Sequence, residues 1–179
     1  MMPQKPEGRV EALNGVELYD EVYGAGEPLL LLHGFTGSSQ DWTRVIEEWR
    51  ADFQLIVPDL RGHGRSGILS KPFRHRDAAA DLIALLDRLN ARRCRGLGVS
   101  GGGNVLLHVA AMQPDRIRAM VLVSATPYFP AGARAIMSQY AAGLSEEQRE
   151  LLRKRHSGGE AQIQALPTAH RPSPAATTI

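Results

Sequence analysis

The 179-residue sequence has a single cysteine, few lysines and no long apolar segment. The lone Cys94 cannot form an internal disulfide, which predicts a reducing compartment and therefore the cytoplasm. No apolar run approaches the length that spans a bilayer. The N-terminal segment 1–8 lacks the apolar core of a secretory signal. These absences predict a protein without a membrane partner.

Nucleic-acid and metal chemistry have equally little support. The 21 basic residues nearly balance 19 acidic ones, and they are scattered instead of forming a stripe, so no nucleic-acid partner is expected. No two histidines stand at ligand spacing, and we expect neither a metal nor any other cofactor. The histidines are His33, His63, His75, His108, His156 and His170.

Short apolar runs alternate with amphipathic segments along the first 124 residues. This pattern predicts a mostly parallel sheet covered by helices on both faces, the α/β class. Asn14-Gly15 predicts a tight turn, and hence an antiparallel hairpin at one edge of the sheet. The expected strands are 9–13, 16–23, 28–32, 53–57, 94–99 and 118–124. The expected helices are 39–50, 76–90, 104–112, 131–142 and 145–155.

A serine between glycines stands where an apolar strand gives way to a helix. The segment reads Gly98-Val99-Ser100-Gly101-Gly102. A sharp strand-to-helix turn tolerates only small neighbours and pushes the serine hydroxyl out above the sheet. The pattern therefore predicts a nucleophile elbow with Ser100 as the attacking group.

Two further motifs follow the preceding strands. His33-Gly34-Phe35-Thr36-Gly37 comes directly after the strand at 28–32, and Asp59-Leu60-Arg61-Gly62-His63-Gly64-Arg65-Ser66 comes after the strand at 53–57. With the elbow, and in this order, they make residues 9–160 resemble the α/β-hydrolase superfamily. The resemblance is to its lipase and esterase, haloperoxidase and enol-lactonase-like branch.

This resemblance implies a serine hydrolase of esters, lactones or related small carbonyl compounds. It implies that the backbone N–H groups of Phe35 and Gly101 form an oxyanion hole beside Ser100. It further implies that the second loop is architectural, so His63 is expected to brace that loop and to take no part in the reaction.

Residues 96–101 also fit the Gly-x-Gly-x-x-Gly pattern of a dinucleotide-binding turn. That interpretation requires a carboxylate at the end of the next strand, but the next strand ends Val123-Ser124-Ala125. The hydrolase interpretation is therefore preferred.

A base for Ser100 is not identifiable in the sequence. Along the helix that follows the elbow, His108 lies about 12 Å and Asp115 about 20 Å from the serine, at 1.5 Å per residue. We expect His156 and His170 to be solvated. The remaining acids after the elbow are Glu146, Glu147, Glu150 and Glu160.

We therefore expect a hydrolase core over 1–130, the start of a helical cap over 131–166 and a disordered tail over 167–179. The resemblance implies that the last strands, the triad acid and the triad histidine are missing. The Pro- and Ala-rich tail indicates a frame-shifted end. A weakly active hydrolase and a non-catalytic binding protein on the same scaffold both stay open.

Overall fold

A computed structural model of the chain describes residues 8–128 and 144–169. Its centre is a six-stranded sheet in the order β1-β2-β4-β3-β5-β6. The strands are β1 (Arg9–Leu13), β2 (Val16–Tyr23), β3 (Glu27–Leu32), β4 (Phe53–Asp59), β5 (Cys94–Val99) and β6 (Ile117–Val123). All six expected strands are confirmed, each with ends within two residues of those predicted.

The leading hairpin lies at one edge of the sheet, as predicted. Asn14 and Gly15 both have positive φ, 48° and 78°, as the tight turn between paired strands requires. β1 pairs antiparallel with β2, and β2 antiparallel with β4. The strands β4, β3, β5 and β6 run parallel to one another, so their carboxyl ends meet at the same edge.

Helices cover both faces of the sheet. They are a short 3-10 helix (Ser39–Trp42), α1 (Thr43–Trp49), α2 (His75–Arg88), α3 (Gly101–Met112), a 3-10 turn (Pro114–Arg116), α4 (Glu146–Arg155) and α5 (Gly159–Ala169). α4 begins with the Ser145–Gln148 capping box predicted from the sequence.

Side chains alternate along β3 and so divide the core into two layers. Leu30 and Leu32 pack with α2 and α3 on one face of the sheet. Leu29 and Leu31 pack with the Trp42 and Ile46 layer on the other. The continuous leucine run is thus explained by burial on both faces.

The helices differ from the predicted ones in three main respects. The helix expected over 39–50 divides into the 3-10 helix and α1. α3 begins three residues earlier than expected, directly after Ser100. α5 lies where the sequence predicts no helix, and it continues to Ala169, past the expected start of the tail at 167. The helix expected over 131–142 and the tail from residue 170 lie outside the described residues.

Among the described residues β6 is the last strand, and it lies at the second edge of the sheet, as predicted. It pairs with β5, and its apolar side chains from Met120 to Val123 are all exposed, Val121 to 57%. In the described ranges no helix is both long and apolar enough to cross a bilayer.

Candidate active site

Ser100 lies between β5 and α3 with a backbone conformation that residues with side chains rarely adopt. Its φ is 49° and its ψ is −114°. Two hydrogen bonds hold it there: its N–H donates to the Val123 carbonyl (2.7 Å), and its carbonyl accepts from the Asn104 N–H (3.0 Å). The residue is exposed. The turn is therefore strained, fixed by its neighbours and open to solvent.

The glycines of this turn allow backbone to pack directly on backbone. A Cβ on Gly98 would lie 2.6 Å from the Cα of Gly103 at the start of α3. One on Gly102 would lie 2.4 Å from the carbonyl oxygen of His33. Larger residues at 98 and 102 would force β5, α3 and the end of β3 apart.

The Gly34–Gly37 turn lies directly against the Ser100 turn. The Gly37 N–H donates to the Gly34 carbonyl (3.0 Å) and closes the turn. A Cβ on Gly34 would be 3.7 Å from the Cβ of Ser100, and one on Gly101 would be 3.3 Å from the backbone nitrogen of Phe35. The two backbone segments expected to carry the oxyanion donors are thus neighbours beside Ser100.

Asp59 anchors the loop that follows β4. Its carboxylate is fully buried and accepts from the backbone N–H groups of Ser39 (2.6 Å) and Arg65 (2.8 Å). The Ser66 hydroxyl donates to the Asp59 carbonyl (2.6 Å). The Arg65 guanidinium also lies 3.6 Å above the Tyr19 ring and donates to Glu21. These contacts give the Asp59–Ser66 loop a bracing role.

Three buried histidines cluster where this loop meets the Gly34–Gly37 turn. The His63 ring lies 5.3 Å from the His33 ring and 6.0 Å from the His156 ring, centre to centre. It also meets the Phe35 ring edge-on at 5.3 Å. His33 Nε2 accepts from the Leu60 N–H (3.0 Å). Burial lowers the pKa of His33, which favours its neutral form.

The expectation that His156 is solvated is wrong. The residue is 1% exposed, and its ring lies between two loops at the carboxyl edge of the sheet. Nδ1 accepts from the Gly64 N–H (2.8 Å), so the ring proton is on Nε2, which donates to the Thr36 carbonyl (3.2 Å). Burial lowers its pKa, an effect that the Thr36 hydrogen bond partly opposes. With both ring nitrogens engaged, His156 is not positioned as a base for Ser100.

The acids after the elbow are engaged elsewhere or exposed. Arg153 forms ion pairs with Glu146, Glu150 and Glu160 across α4 and α5. Asp115 is exposed in the 3-10 turn beyond α3, and Glu147 is exposed on α4. In the part of the chain that the structure describes, no side chain forms a hydrogen bond with the Ser100 hydroxyl.

His108 and His75 contact each other on the helices α3 and α2. His108 stacks on His75 with the ring centres 5.9 Å apart and the planes nearly parallel. Burial lowers the pKa of His108, and Arg76 lowers it further. His170 lies outside the described residues. The placement of His108 on α3 agrees with the expectation that it does not reach Ser100.

Neither a reactive thiol nor a metal-binding cluster is found in the described part of the chain. Cys94 is buried at the start of β5, and burial raises its pKa to about 11, which disfavours the reactive thiolate. Within residues 8–128 and 144–169 no group of three His, Cys, Asp or Glu side chains could hold a metal ion.

A groove of about 200 Å³ opens beside the Gly34–Gly37 turn. α4 forms most of its wall, and three leucines give it an apolar lining. The lining residues are Thr36, Leu144, Gln148, Leu151, Leu152 and Arg155. The Arg155 side chain on this wall also pairs with Asp41 (2.6 Å).

Residues 27–171 match the family model described as the alpha/beta hydrolase fold. The chain belongs to the alpha/beta hydrolase family. It is 33% identical over 120 residues to a non-heme haloperoxidase of Rhodococcus erythropolis, covering 66% of this chain and 44% of that protein. It is 34% identical over 116 residues to the pimeloyl-[acyl-carrier protein] methyl ester esterase of Nitrosomonas europaea, covering 63% and 42%.

A solved hydrolase structure from Pseudomonas aeruginosa confirms the fold. It superposes with a TM-score of 0.76 at 23% identity, covering 95% of this chain and 74% of that one. The present chain spans less than half the length of the two curated relatives. The predicted family and fold are thus confirmed, and the chain is shorter than its relatives.

Proposed function

We propose that this chain carries the nucleophile and the oxyanion-binding part of a serine hydrolase, and acts weakly on esters, lactones or related carbonyl compounds. The observation that carries the proposal is the strained, exposed Ser100 turn packed against the Gly34–Gly37 turn. A non-glycine residue at such a φ and ψ is costly, and in a strand-to-helix turn this conformation can present a serine side chain to a substrate.

The reaction begins with a bond between the Ser100 oxygen and the substrate carbonyl carbon. The carbonyl electron pair moves to oxygen, where the N–H groups of Phe35 and Gly101 stabilise the oxyanion by about 3 kcal/mol each. The oxyanion then collapses, the bond to the leaving alkoxide breaks, and an acyl-enzyme forms. Water later hydrolyses the acyl-enzyme to the acid and restores the Ser100 hydroxyl.

The proton of Ser100 limits the rate. In an active triad a histidine removes it, but among the described side chains none forms a hydrogen bond with the hydroxyl. Hydroxide or water must then take the proton, so attack is slow at neutral pH. Only an activated ester, whose alkoxide leaves without protonation, should acylate Ser100 readily.

The groove beside the Gly34–Gly37 turn is suited to a small apolar group of the substrate. Leu144, Leu151 and Leu152 provide apolar surface, and a volume of about 200 Å³ suits a short acyl or alkyl chain.

The single buried, unpaired cysteine supports the cytoplasmic location expected from the sequence.

A non-catalytic binding protein on the same scaffold is the second candidate. The ion pairs of Glu146, Glu150 and Glu160 with Arg153 favour it, because they engage three of the acids that a triad could use. In that case the groove and turn would bind a carbonyl compound without reacting with it.

Acylation of Ser100 separates the two candidates. The protein is incubated with p-nitrophenyl acetate at pH 8, and its intact mass and peptide map are measured. A hydrolase gains one acetyl group on Ser100, and the Ser100→Ala control gains none there. A wild-type chain that stays unmodified, or is modified equally in the control, would contradict the hydrolase proposal.

A further inference from the structure

His156 joins the helical pair α4–α5 to the turn beside Ser100. Its Nε2 proton donates to the Thr36 carbonyl, 120 positions away in sequence, and its Nδ1 accepts from Gly64. Ser157 continues the contact, since its N–H donates to the Gly64 carbonyl (2.9 Å). One buried side chain thus bridges the Gly34–Gly37 turn and the Asp59–Ser66 loop.

The Gly34–Gly37 turn needs such a restraint. Thr36 has a φ of 67°, which is unfavourable for a β-branched residue. The hydrogen bond from the Gly37 N–H to the Gly34 carbonyl closes the turn but leaves the Thr36 carbonyl to an outside donor. The Phe35 N–H belongs to the same turn, so a change at Thr36 would reorient this proposed oxyanion donor.

We infer that His156 is a positioning residue, which holds the Thr36 carbonyl and thereby keeps the Phe35 N–H aimed at the site beside Ser100. The inference rests on the proposed function. His156 touches no reacting atom and acts through the turn. It provides a specific link between the helical segment 146–169 and the chemistry at the sheet edge.

The contact requires a neutral imidazole. A proton on Nδ1 would abolish the acceptor for the Gly64 N–H, and the resulting cation would be buried. His33 and Arg155 oppose such a cation, whereas Asp59 favours it, and the His63 ring lies 6.0 Å away, centre to centre. Acid should therefore release the ring from the two loops and disorder the turn.

Two substitutions separate the two hydrogen bonds. In His156→Gln the side-chain amide can reach the Nε2 position and still donate to Thr36. In His156→Asn the amide oxygen can take the Nδ1 position and still accept from Gly64. Each variant keeps one bond and loses the titratable group, so the pair is matched for burial and polarity.

The first readout is the backbone amide NMR signal of Phe35 in the ¹⁵N-labelled protein. In His156→Gln we expect the Phe35 amide to keep the chemical shift and the protection from hydrogen exchange that it has in the wild type. In His156→Asn we expect a changed chemical shift and faster hydrogen exchange. In the wild type the signal should move on acidification below pH 6.5, and it should move less in both variants, where His33 beside the turn still titrates and His156 no longer does. This readout does not depend on any enzymatic activity.

The second readout is the rate of Ser100 acylation by p-nitrophenyl acetate. We expect about a tenfold loss in His156→Asn and less than about a twofold loss in His156→Gln, because only the first releases the donor turn. Urea unfolding should show similar midpoints for both variants. If one variant fails to fold, comparing the pH titration of the Phe35 signal in the wild type with that in the other variant still tests the inference.

The positioning role would be overturned if the two substitutions had equal effects on the Phe35 signal and on the acylation rate. It would also be overturned if neither the substitutions nor acid moved the Phe35 signal. Absence of acylation in every protein, with the NMR pattern as expected, would instead contradict the proposed function and leave the link between His156 and the turn intact.

Discussion

Ser100 combines a side chain and a backbone conformation that are seldom found together. At φ 49° and ψ −114° a serine is strained, and only glycine adopts this region freely. The Val123 and Asn104 backbone hydrogen bonds hold it there. In the same turn the residue is exposed to solvent.

We predict that Ser100→Gly stabilises the protein by about 1 kcal/mol, because relief of the strained φ outweighs the added flexibility of the unfolded chain. Urea unfolding measures the change. Ser100→Ala is the matched control, since it removes the hydroxyl and keeps the strain, and its stability should stay close to that of the wild type. A Ser100→Gly protein that is less stable than the wild type would contradict the inference that the Ser100 backbone is strained.

The buried histidines make stability depend on pH. Burial lowers the pKa values of His33 and His156 in the folded state, whereas the unfolded chain titrates near 6.5. Below about pH 6.5 the unfolded state therefore binds more protons than the folded state, and the free energy of unfolding falls as the pH falls. Well above that pH these two groups add no pH dependence to the free energy of unfolding.

We predict that the urea midpoint is lower at pH 5.5 than at pH 7.5, and that His156→Asn reduces the difference. Unfolding monitored by circular dichroism at both pH values measures it. The pH range stays above the region where unfolded carboxylates titrate. A midpoint that does not change with pH, or changes equally in the variant, would show that His156 is not a source of this dependence.

At the scale of elements, the two edges of the sheet differ in their protection. β1 carries Arg9 and Glu11, and charges on an edge strand discourage pairing with another chain. β6 exposes four consecutive apolar side chains, from Met120 to Val123. Such a strand is a template for association.

We predict that the chain self-associates through β6 and that Val121→Lys shifts it toward the monomer. Sedimentation velocity at several concentrations measures the distribution. Val10→Lys, at a 52% exposed position on β1, is the matched control and should have little effect. A monodisperse wild-type monomer with a sharp melting transition would contradict the prediction.

The elements that the sequence predicted correctly are those determined by residues close together in the sequence. Continuous apolar runs identified the parallel strands, and Asn14-Gly15 identified the hairpin. α3 begins at Gly101 and not at residue 104, because tertiary packing overrides the low helix propensity of three glycines. α5 contains Gly159 and Pro167, whose types indicate a helix end, so no periodic signal marked it.

At the scale of the whole molecule, the site is assembled from distant segments. The sequence predicts Ser100, Phe35 and Gly101 as site residues because each lies in a motif that follows a strand. It could not predict the burial of His156, whose neighbours Lys154 and Arg155 are charged and whose contacts lie 92 and 120 positions away. Burial of that kind depends on the tertiary fold alone.

α4 and α5 close over the same edge of the sheet as the elbow. Gln162, fully buried in α5, donates to the carbonyls of Gly62 (3.1 Å) and Ser66 (3.2 Å). The loops, the two turns and the helical pair therefore form one connected layer at the carboxyl ends of the strands. Within the described residues this layer presents Ser100, the proposed nucleophile, without a base.

The dependence of Ser100 acylation on pH tests this arrangement most directly. Intact-mass measurements with p-nitrophenyl acetate give the acylation rate from pH 6.5 to 9. Without a base, the rate follows the alkoxide fraction and should rise about tenfold per pH unit with no plateau. A rate that levels off above a midpoint near pH 7 would show that a histidine reaches Ser100, and would contradict a nucleophile that acts without a base.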